Sequence, residues 1–181
     1  RNRLARSAPR EHGVAQAHPR PGEPGGHPRR HRRARGRSLR AQQAVIGLDT
    51  NVLLRVLVDD GSPDVAKARD FVVARAAEGH DFRLDAVVLA ETAWMLETVF
   101  GYGRADIAAV FDALLGNAAY VLDWREAVAA ALAEFRATRA DFSDCLITAR
   151  NTAAGCERTA TLDKGMRRLS GGTLMIMEFT R

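Results

Sequence analysis

The sequence predicts an α/β fold with a central parallel sheet flanked by helices. Short apolar segments that suit buried strands alternate with longer segments in which apolar residues recur at helical spacing. This alternation is typical of parallel sheets, because each strand needs a crossover helix before the next one. Residues 44–181 are rich in Ala, Val and Leu, and their length is that of one domain with a substantial core.

The predicted elements follow one another without an internal repeat. Strands are predicted at residues 44–48, 82–84, 119–122, 159–162 and 174–177. Helices are predicted at residues 51–58, 64–79, 85–100, 104–115, 123–138 and 142–153, with a helical turn at 165–169. Ligands of parallel sheets bind beyond the carboxyl ends of the strands, so residues that follow a strand are candidates for a site.

Residues 1–43 form a different kind of segment, rich in Arg, Pro and Gly. They carry 12 Arg, no Lys and two acids, a net charge of +10, whereas residues 44–181 carry 15 basic and 20 acidic side chains, a net charge of −5. The tail cannot bury enough apolar surface to offset its chain entropy, so we expect it to be disordered. The basic balance of the whole chain therefore belongs to the tail and not to the domain.

The tail has two interpretations. The sequence starts with Arg, and the domain begins abruptly at Val45. We hypothesise that the natural protein starts at Val45, read as Met, and that the preceding residues are upstream sequence translated in frame. The alternative is a genuine basic arm that binds nucleic acid without sequence preference.

Neither a secretory signal nor a membrane span is predicted, since no apolar segment of suitable length and position occurs. The two cysteines, Cys145 and Cys156, are too few for a disulfide framework and lack the spacing of a redox motif. We therefore expect a cytoplasmic protein.

Four acidic residues lie at the ends of predicted elements among apolar residues: Asp49, Glu91, Asp144 and Asp163. Carboxylates that converge from distant parts of a chain are the ligands that Mg²⁺ and Mn²⁺ prefer. Such ions promote phosphodiester cleavage. The pattern therefore predicts metal-dependent phosphoryl chemistry.

Each acid also has a structural interpretation. Asp49, followed by Thr50 and Asn51, could cap the first helix, yet three consecutive oxygen-bearing side chains can also ligate and orient. Glu91 could lie on an exposed helix face, but its segment VVLAETAWML is so apolar that a solvated face is hard to place. We favour a functional role for both acids.

The third and fourth acids have similar alternatives. Asp141 is predicted to cap a helix and support the site. Asp144 could simply favour the dipole at the first turn of that helix, but the apolar residues that follow it favour a role as a ligand. Asp163 could be a simple turn residue, and Thr161 could offer its hydroxyl to the same site. Asp123, three residues before Glu126, has the spacing of a capping box and is predicted to be structural.

Other chemistries are disfavoured. The domain holds one histidine, His80, so a nuclease that relies on a pair of histidines is excluded unless the tail contributes. There is no zinc ligand cluster, no phosphate-binding GxxxxGK[ST] loop and no GxSxG nucleophile motif.

The segments LDTNVLLR, VVLAETAWML, ADFSDCLITA and TATLDKGM, taken in this order, resemble the PIN-domain ribonucleases. They are most similar to the VapC toxins of bacterial toxin–antitoxin pairs. The resemblance runs from Val45 to about Met177. It implies a three-layer PIN-like fold with the sheet between helices.

The same resemblance implies a function and a site. It implies an endoribonuclease that depends on Mg²⁺ or Mn²⁺ and cuts tRNA or ribosomal RNA. The acids Asp49, Glu91, Asp144 and Asp163 would bind the metal and catalyse, with Asn51, Asp141 and Thr161 in support. The expected partners are RNA, a VapB-like antitoxin and a second copy of the chain, for which residues 94–102 offer a contact surface.

Three further expectations follow. Carboxylates gathered without metal should have raised pKa values. Because the domain is acidic, local cations must meet the RNA backbone, and the candidates are Arg55, Arg104, Arg150, Arg167 and Arg168. The alternative functions are a housekeeping RNA-processing nuclease, a PIN-like module that binds RNA or a partner without cutting, and a domain that only dimerises behind a functional basic tail.

Overall fold

The computed structural model describes residues 44–176, so the predicted tail disorder lies outside the described residues. The strands are β1 Val45–Gly47, β2 Asp81–Leu84, β3 Tyr120–Leu122, β4 Thr159–Thr161 and β5 Thr173–Met175. The helices are α1 Thr50–Leu57, α2 Pro63–Ala77, α3 Ala86–Thr98, α4 Arg104–Gly116, α5 Arg125–Ala137 and α6 Phe142–Ala153, with a 3₁₀ helix at Lys164–Arg168. The predicted elements are confirmed within a few residues.

Side chains at the helix starts explain several of these boundaries. Asp49, Ser62 and Asp85 each precede a helix and accept a hydrogen bond from a backbone N–H of its first turn. Gly79 and Gly155 follow α2 and α6 in the left-handed conformation that a side chain disfavours, which ends both helices.

All strand pairs in the described residues are parallel, which confirms the predicted α/β class. β2 lies between β1 and β3, with Ile46, Phe82 and Tyr120 in register. β4 and β5 pair separately, so the strands form a three-stranded and a two-stranded sheet instead of one continuous sheet. Strands of three or four residues form few ladder hydrogen bonds, and helix packing therefore contributes most of the core.

The core includes an aromatic cluster that joins three helices. Phe111 of α4 lies 4.1 Å from the ring of Phe142, and Phe135 of α5 meets Phe142 edge to face at 5.9 Å, both measured between ring centroids. All three side chains are buried. Since Phe142 is the first residue of α6, this cluster fixes the position of the acids around the start of that helix.

Arg104 holds the chain that enters α6. Its guanidinium donates to the carbonyl oxygens of Phe135 at 2.7 Å and Ala140 at 2.9 Å. It also lies 3.9 Å from the centroid of the Phe135 ring. Arg104, one of the cations predicted to meet RNA, therefore has a structural role through these contacts. No described helix combines the length and apolar character needed to span a bilayer.

Replacing this anchor should destabilise the fold. We expect Arg104→Met to lower the free energy of unfolding by about 2 kcal/mol, because charge-assisted hydrogen bonds to two carbonyls are removed. Urea unfolding would measure it, with Arg158→Met as control, since Arg158 is exposed. Equal stability of Arg104→Met and the unmodified protein would contradict the assignment.

Candidate active site

Asp144, in the first turn of α6, contacts the carboxyl group of Asp163 and is within range of the charge of Asp141. Its pKa is raised above the usual range, first by burial, then by the charges of Asp163 and Asp141 and by a hydrogen bond with Asp163. The expected raised pKa is thus confirmed for this acid. Asp141 occupies the N-cap position of α6, as predicted, although its side chain accepts no capping hydrogen bond from the first turn.

The turn after β4 fixes Asp163. Its Oδ1 accepts the backbone N–H of Gly165 at 2.7 Å, and its own N–H donates to Thr161 Oγ1 at 2.9 Å. A Cβ at position 165 would lie 3.1 Å from that carboxylate oxygen, so glycine permits the close turn. Thr161 Oγ1 lies 3.1 Å from Met166 Sδ, so the hydroxyl supports the turn that holds Asp163.

Glu91 is held from the start of α1. Thr50 Oγ1 donates to Glu91 Oε2 at 2.6 Å, which joins α1 to α3. The preceding residue, Asp49, accepts the N–H of Val52 at 2.8 Å through Oδ1 and caps α1. Asn51 is exposed in the first turn of the same helix. The residues that follow β1 are therefore Asp49, which caps α1, Thr50, which holds Glu91, and the exposed Asn51.

Glu91 itself is exposed, contrary to the expectation that its apolar segment leaves no solvated face. Val87 and Trp94, one turn before and after it, are 69% and 55% exposed. The helix buries another side, which includes Leu89, Ala93 and Leu96. Apolar residues on a solvated face suit a binding surface, and here they surround the carboxylate.

Two observations indicate how α3 lies against α6. Trp94, near the end of α3, shares a crevice with Asp141 at the start of α6. At the other end, Asp85 before α3 and Arg150 in the last turn of α6 both act on Asp123. The two helices are therefore antiparallel.

This packing determines how far along their helices Glu91 and Asp144 lie. Glu91 is six residues after Asp85, and Asp144 is six residues before Arg150. At about 1.5 Å per residue, each acid lies about 9 Å along its helix from the Asp123 end. Glu91 and Asp144 thus lie at the same level on neighbouring helices.

The donors fit a hard divalent cation in kind, since they are carboxylate and hydroxyl oxygens without thiol or imidazole. Among the described residues, however, no three His, Cys, Asp or Glu side chains lie close enough to hold one ion. The structure brings Asp144 to Asp163 and Asp141, and Glu91 to Thr50. It does not draw all four predicted acids into one cluster.

Asp123 has a structural role, as predicted, but not the predicted form of that role. Asp123 was predicted to belong to a capping box, but Trp124 is the residue that directly precedes α5. Asp123 instead accepts two hydrogen bonds from Arg83, at 2.9 and 2.6 Å, and this pairing lowers its pKa. Asp123 lies directly after β3, as Asp49 lies directly after β1, and this position in the sequence could have indicated a role at the end of the strand.

Comparison with family models matches residues 46–172 to the PIN domain. The chain belongs to the PIN domain family. Comparison with curated proteins found no matching protein, and comparison with solved structures found no matching structure. Membership confirms the predicted fold class and supports a nuclease function for this PIN domain.

A basic pocket adjoins the acids of the PIN domain. It has a volume of about 680 Å³ and lies between the end of α5 and the 3₁₀ helix. Four cationic side chains line it: Arg139, Lys164, Arg167 and Arg168. Lys164 directly follows Asp163, and Arg139 is two residues before Asp141. Arg139 and Lys164 were not among the cations predicted to meet RNA, because their separation in sequence hid their shared pocket.

The raised pKa of Asp144 predicts that its charged form destabilises the metal-free protein and that a bound cation relieves this. Folding favours its protonated form, so in the absence of divalent cations stability increases as the pH falls from neutral through the folded-state pKa. We expect Asp144→Asn to raise the melting temperature of the metal-free protein at neutral pH. Adding Mg²⁺ should raise the melting temperature of the unmodified protein more than that of the variant.

The matched control is Asp70→Asn, because Asp70 is exposed on α2. It should change neither the metal-free melting temperature nor the response to Mg²⁺. A lower melting temperature of Asp144→Asn in metal-free buffer at neutral pH would contradict the unfavourable charge at this site.

Proposed function

We propose that this PIN domain is an Mg²⁺- or Mn²⁺-dependent endoribonuclease and the toxin of a type II toxin–antitoxin pair of the VapC kind. Its substrates would be tRNA or ribosomal RNA, whose cleavage inhibits translation. The observation that carries the proposal is the contact between Asp144 and Asp163 at the level of Glu91. Like charges held together in this way are stabilised by a cation.

Asp144, Asp163, Glu91 and Asp49 would hold the metal. When bound, the cation would polarise the scissile phosphate and lower the pKa of a coordinated water. Thr50 would orient Glu91 through its 2.6 Å hydrogen bond, and the Gly165 N–H would fix Asp163.

The basic pocket supports RNA as the substrate. Residues 44–181 carry a net charge of −5, so a polyanion needs a local cationic surface. Arg139, Lys164 and Arg168 are exposed and make no ion pair within the described part of the chain. They can bind phosphates on one side of the bond to be cut.

An antitoxin and a second copy of the chain remain the proposed protein partners. The exposed apolar residues Val87, Trp94 and Val99 on and after α3 support a contact surface beside the site. Of the predicted contact stretch, Phe100 and Tyr102 pack against the core and contribute less to it.

One observation favours a second candidate, a PIN module that binds RNA or a partner without cutting. It is the absence of a three-ligand cluster among the described residues. Cleavage assays separate the two candidates.

Cleavage should depend on the acids and, less strongly, on their support. With Mg²⁺ or Mn²⁺, the full chain should cut cellular RNA at discrete sites, and EDTA should stop it. Asp144→Asn and Glu91→Gln should lower the rate more than about 100-fold, and Thr50→Val by about 10- to 100-fold, as for residues that orient a metal ligand. Asp70→Asn is the control, because Asp70 is exposed on α2.

Undiminished cleavage by Asp144→Asn would refute the assignment of the acids. No cleavage by the unmodified chain with either metal would favour the binding module.

RNA affinity should depend on the basic pocket in a salt-sensitive manner. In the Asp144→Asn background, Arg139→Gln with Arg168→Gln should weaken RNA binding and reduce the slope of log K against log salt. For a single strand, the slope should fall by about 0.7 for each phosphate that the variant no longer neutralises. The control pair is Lys67→Gln with Arg158→Gln, which removes the same charge at exposed positions elsewhere. An identical slope for the two pairs would exclude the pocket as a phosphate site.

A further inference from the structure

Trp124 has an unusual backbone for its residue type. It links β3 to α5 with φ 57° and ψ 43°, and it is the sole non-glycine residue with positive φ among residues 44–176. A bulky side chain is strained in this left-handed conformation, which glycine or asparagine would adopt more easily. The backbone conformation at position 124 is therefore sterically unfavourable for tryptophan.

Core packing does not account for the ring. The side chain is 48% exposed and does not belong to the buried cluster. A large exposed indole in a strained backbone contributes little to folding, whereas a flat apolar surface can bind a ligand.

Arg150 braces the indole. Its guanidinium carbon lies 5.5 Å from the centroid of the Trp124 ring, within the range of a cation–π contact. The Arg150 charge also acts on Asp123, directly before the tryptophan. A cation and an aromatic surface are therefore held together at the carboxyl end of β3. Proteins that bind unpaired nucleotides combine these two features, because the cation meets the phosphates and the ring stacks on a base.

The pair lies on a path to the acids. Asp144, Ile147 and Arg150 are spaced three residues apart along α6, so they follow one another on the helix surface. Ile147 is 50% exposed, and Asp144 and Arg150 are partly exposed. An RNA strand bound at Asp144 would need to extend about 9 Å along this helix to reach Arg150.

We propose that Trp124 is a stacking platform for an unpaired base of the RNA substrate, with Arg150 beside it. The proposal rests on the proposed action on RNA. It favours RNA that is single-stranded next to the cleavage site, because a base within a duplex must first unpair and unstack before it can cover the indole.

Indole fluorescence tests this stacking directly. The chain has two tryptophans, so Trp94→Phe leaves Trp124 as the reporter, and Asp144→Asn prevents cleavage. Titration with a short oligoadenylate should quench the emission, whereas its duplex with oligouridylate should quench it far less. Equal quenching by the two RNAs, or none by the single strand at saturation, would overturn the proposal.

Affinity provides a second readout. Trp124→Asn, which suits the left-handed backbone, should weaken binding of the single strand by roughly five- to 150-fold, and Trp124→Phe should retain most of the affinity. The matched control is Phe71→Asn, because Phe71 is also an exposed aromatic with an arginine beside it, at 6.0 Å, but lies on α2. Circular dichroism would verify that each variant is folded.

Unchanged affinity of Trp124→Asn for the single strand would refute the platform. This also holds if the variant loses binding to a protein partner while its affinity for RNA is unchanged. The two proposals can fail separately. If the unmodified chain does not cut RNA but its Trp124 is still quenched by the single strand, the nuclease proposal fails and the platform stands.

Discussion

The site depends on holding like charges together. Asp144 is partly buried beside Asp163 and Asp141, and both the loss of water and the repulsion between carboxylates oppose its ionisation. A fold keeps such an arrangement only if other contacts supply the stability. A cation would remove the repulsion, so the same feature that weakens the metal-free PIN domain would prepare it to bind metal.

Those other contacts are identifiable. The ring cluster of Phe111, Phe135 and Phe142 anchors the start of α6, and Arg104 closes the loop that leads into it. The antiparallel packing of α3 against α6 then places Glu91 at the level of Asp144. Because the strands are short, the geometry of the site is set by the helices more than by the sheets. The basic pocket and Trp124 would add the proposed contacts with RNA beyond the proposed point of cleavage.

Much of this was predictable from local sequence. Strand ends, caps such as Asp85 and the positions of the four acids follow from apolar patterning and from residues next to one another in the chain. What could not be predicted depends on tertiary packing. The exposure of Glu91 depends on which face of α3 meets its neighbours, because an apolar segment alone does not define a face. The pairing of Asp123 with Arg83 joins residues 40 apart in sequence. Arg139 and Lys164 form one pocket only once α5 and the 3₁₀ helix are placed.

We propose that these separated carboxylates share a divalent cation. Anomalous scattering from crystals of the full chain soaked in Mn²⁺ would test this binding, because the ion is then located independently of any activity. We expect an anomalous peak in contact with Asp144 and Asp163, with Glu91 turned toward it. A peak remote from these acids, or none in crystals that diffract well at saturating Mn²⁺, would show that they do not share a cation.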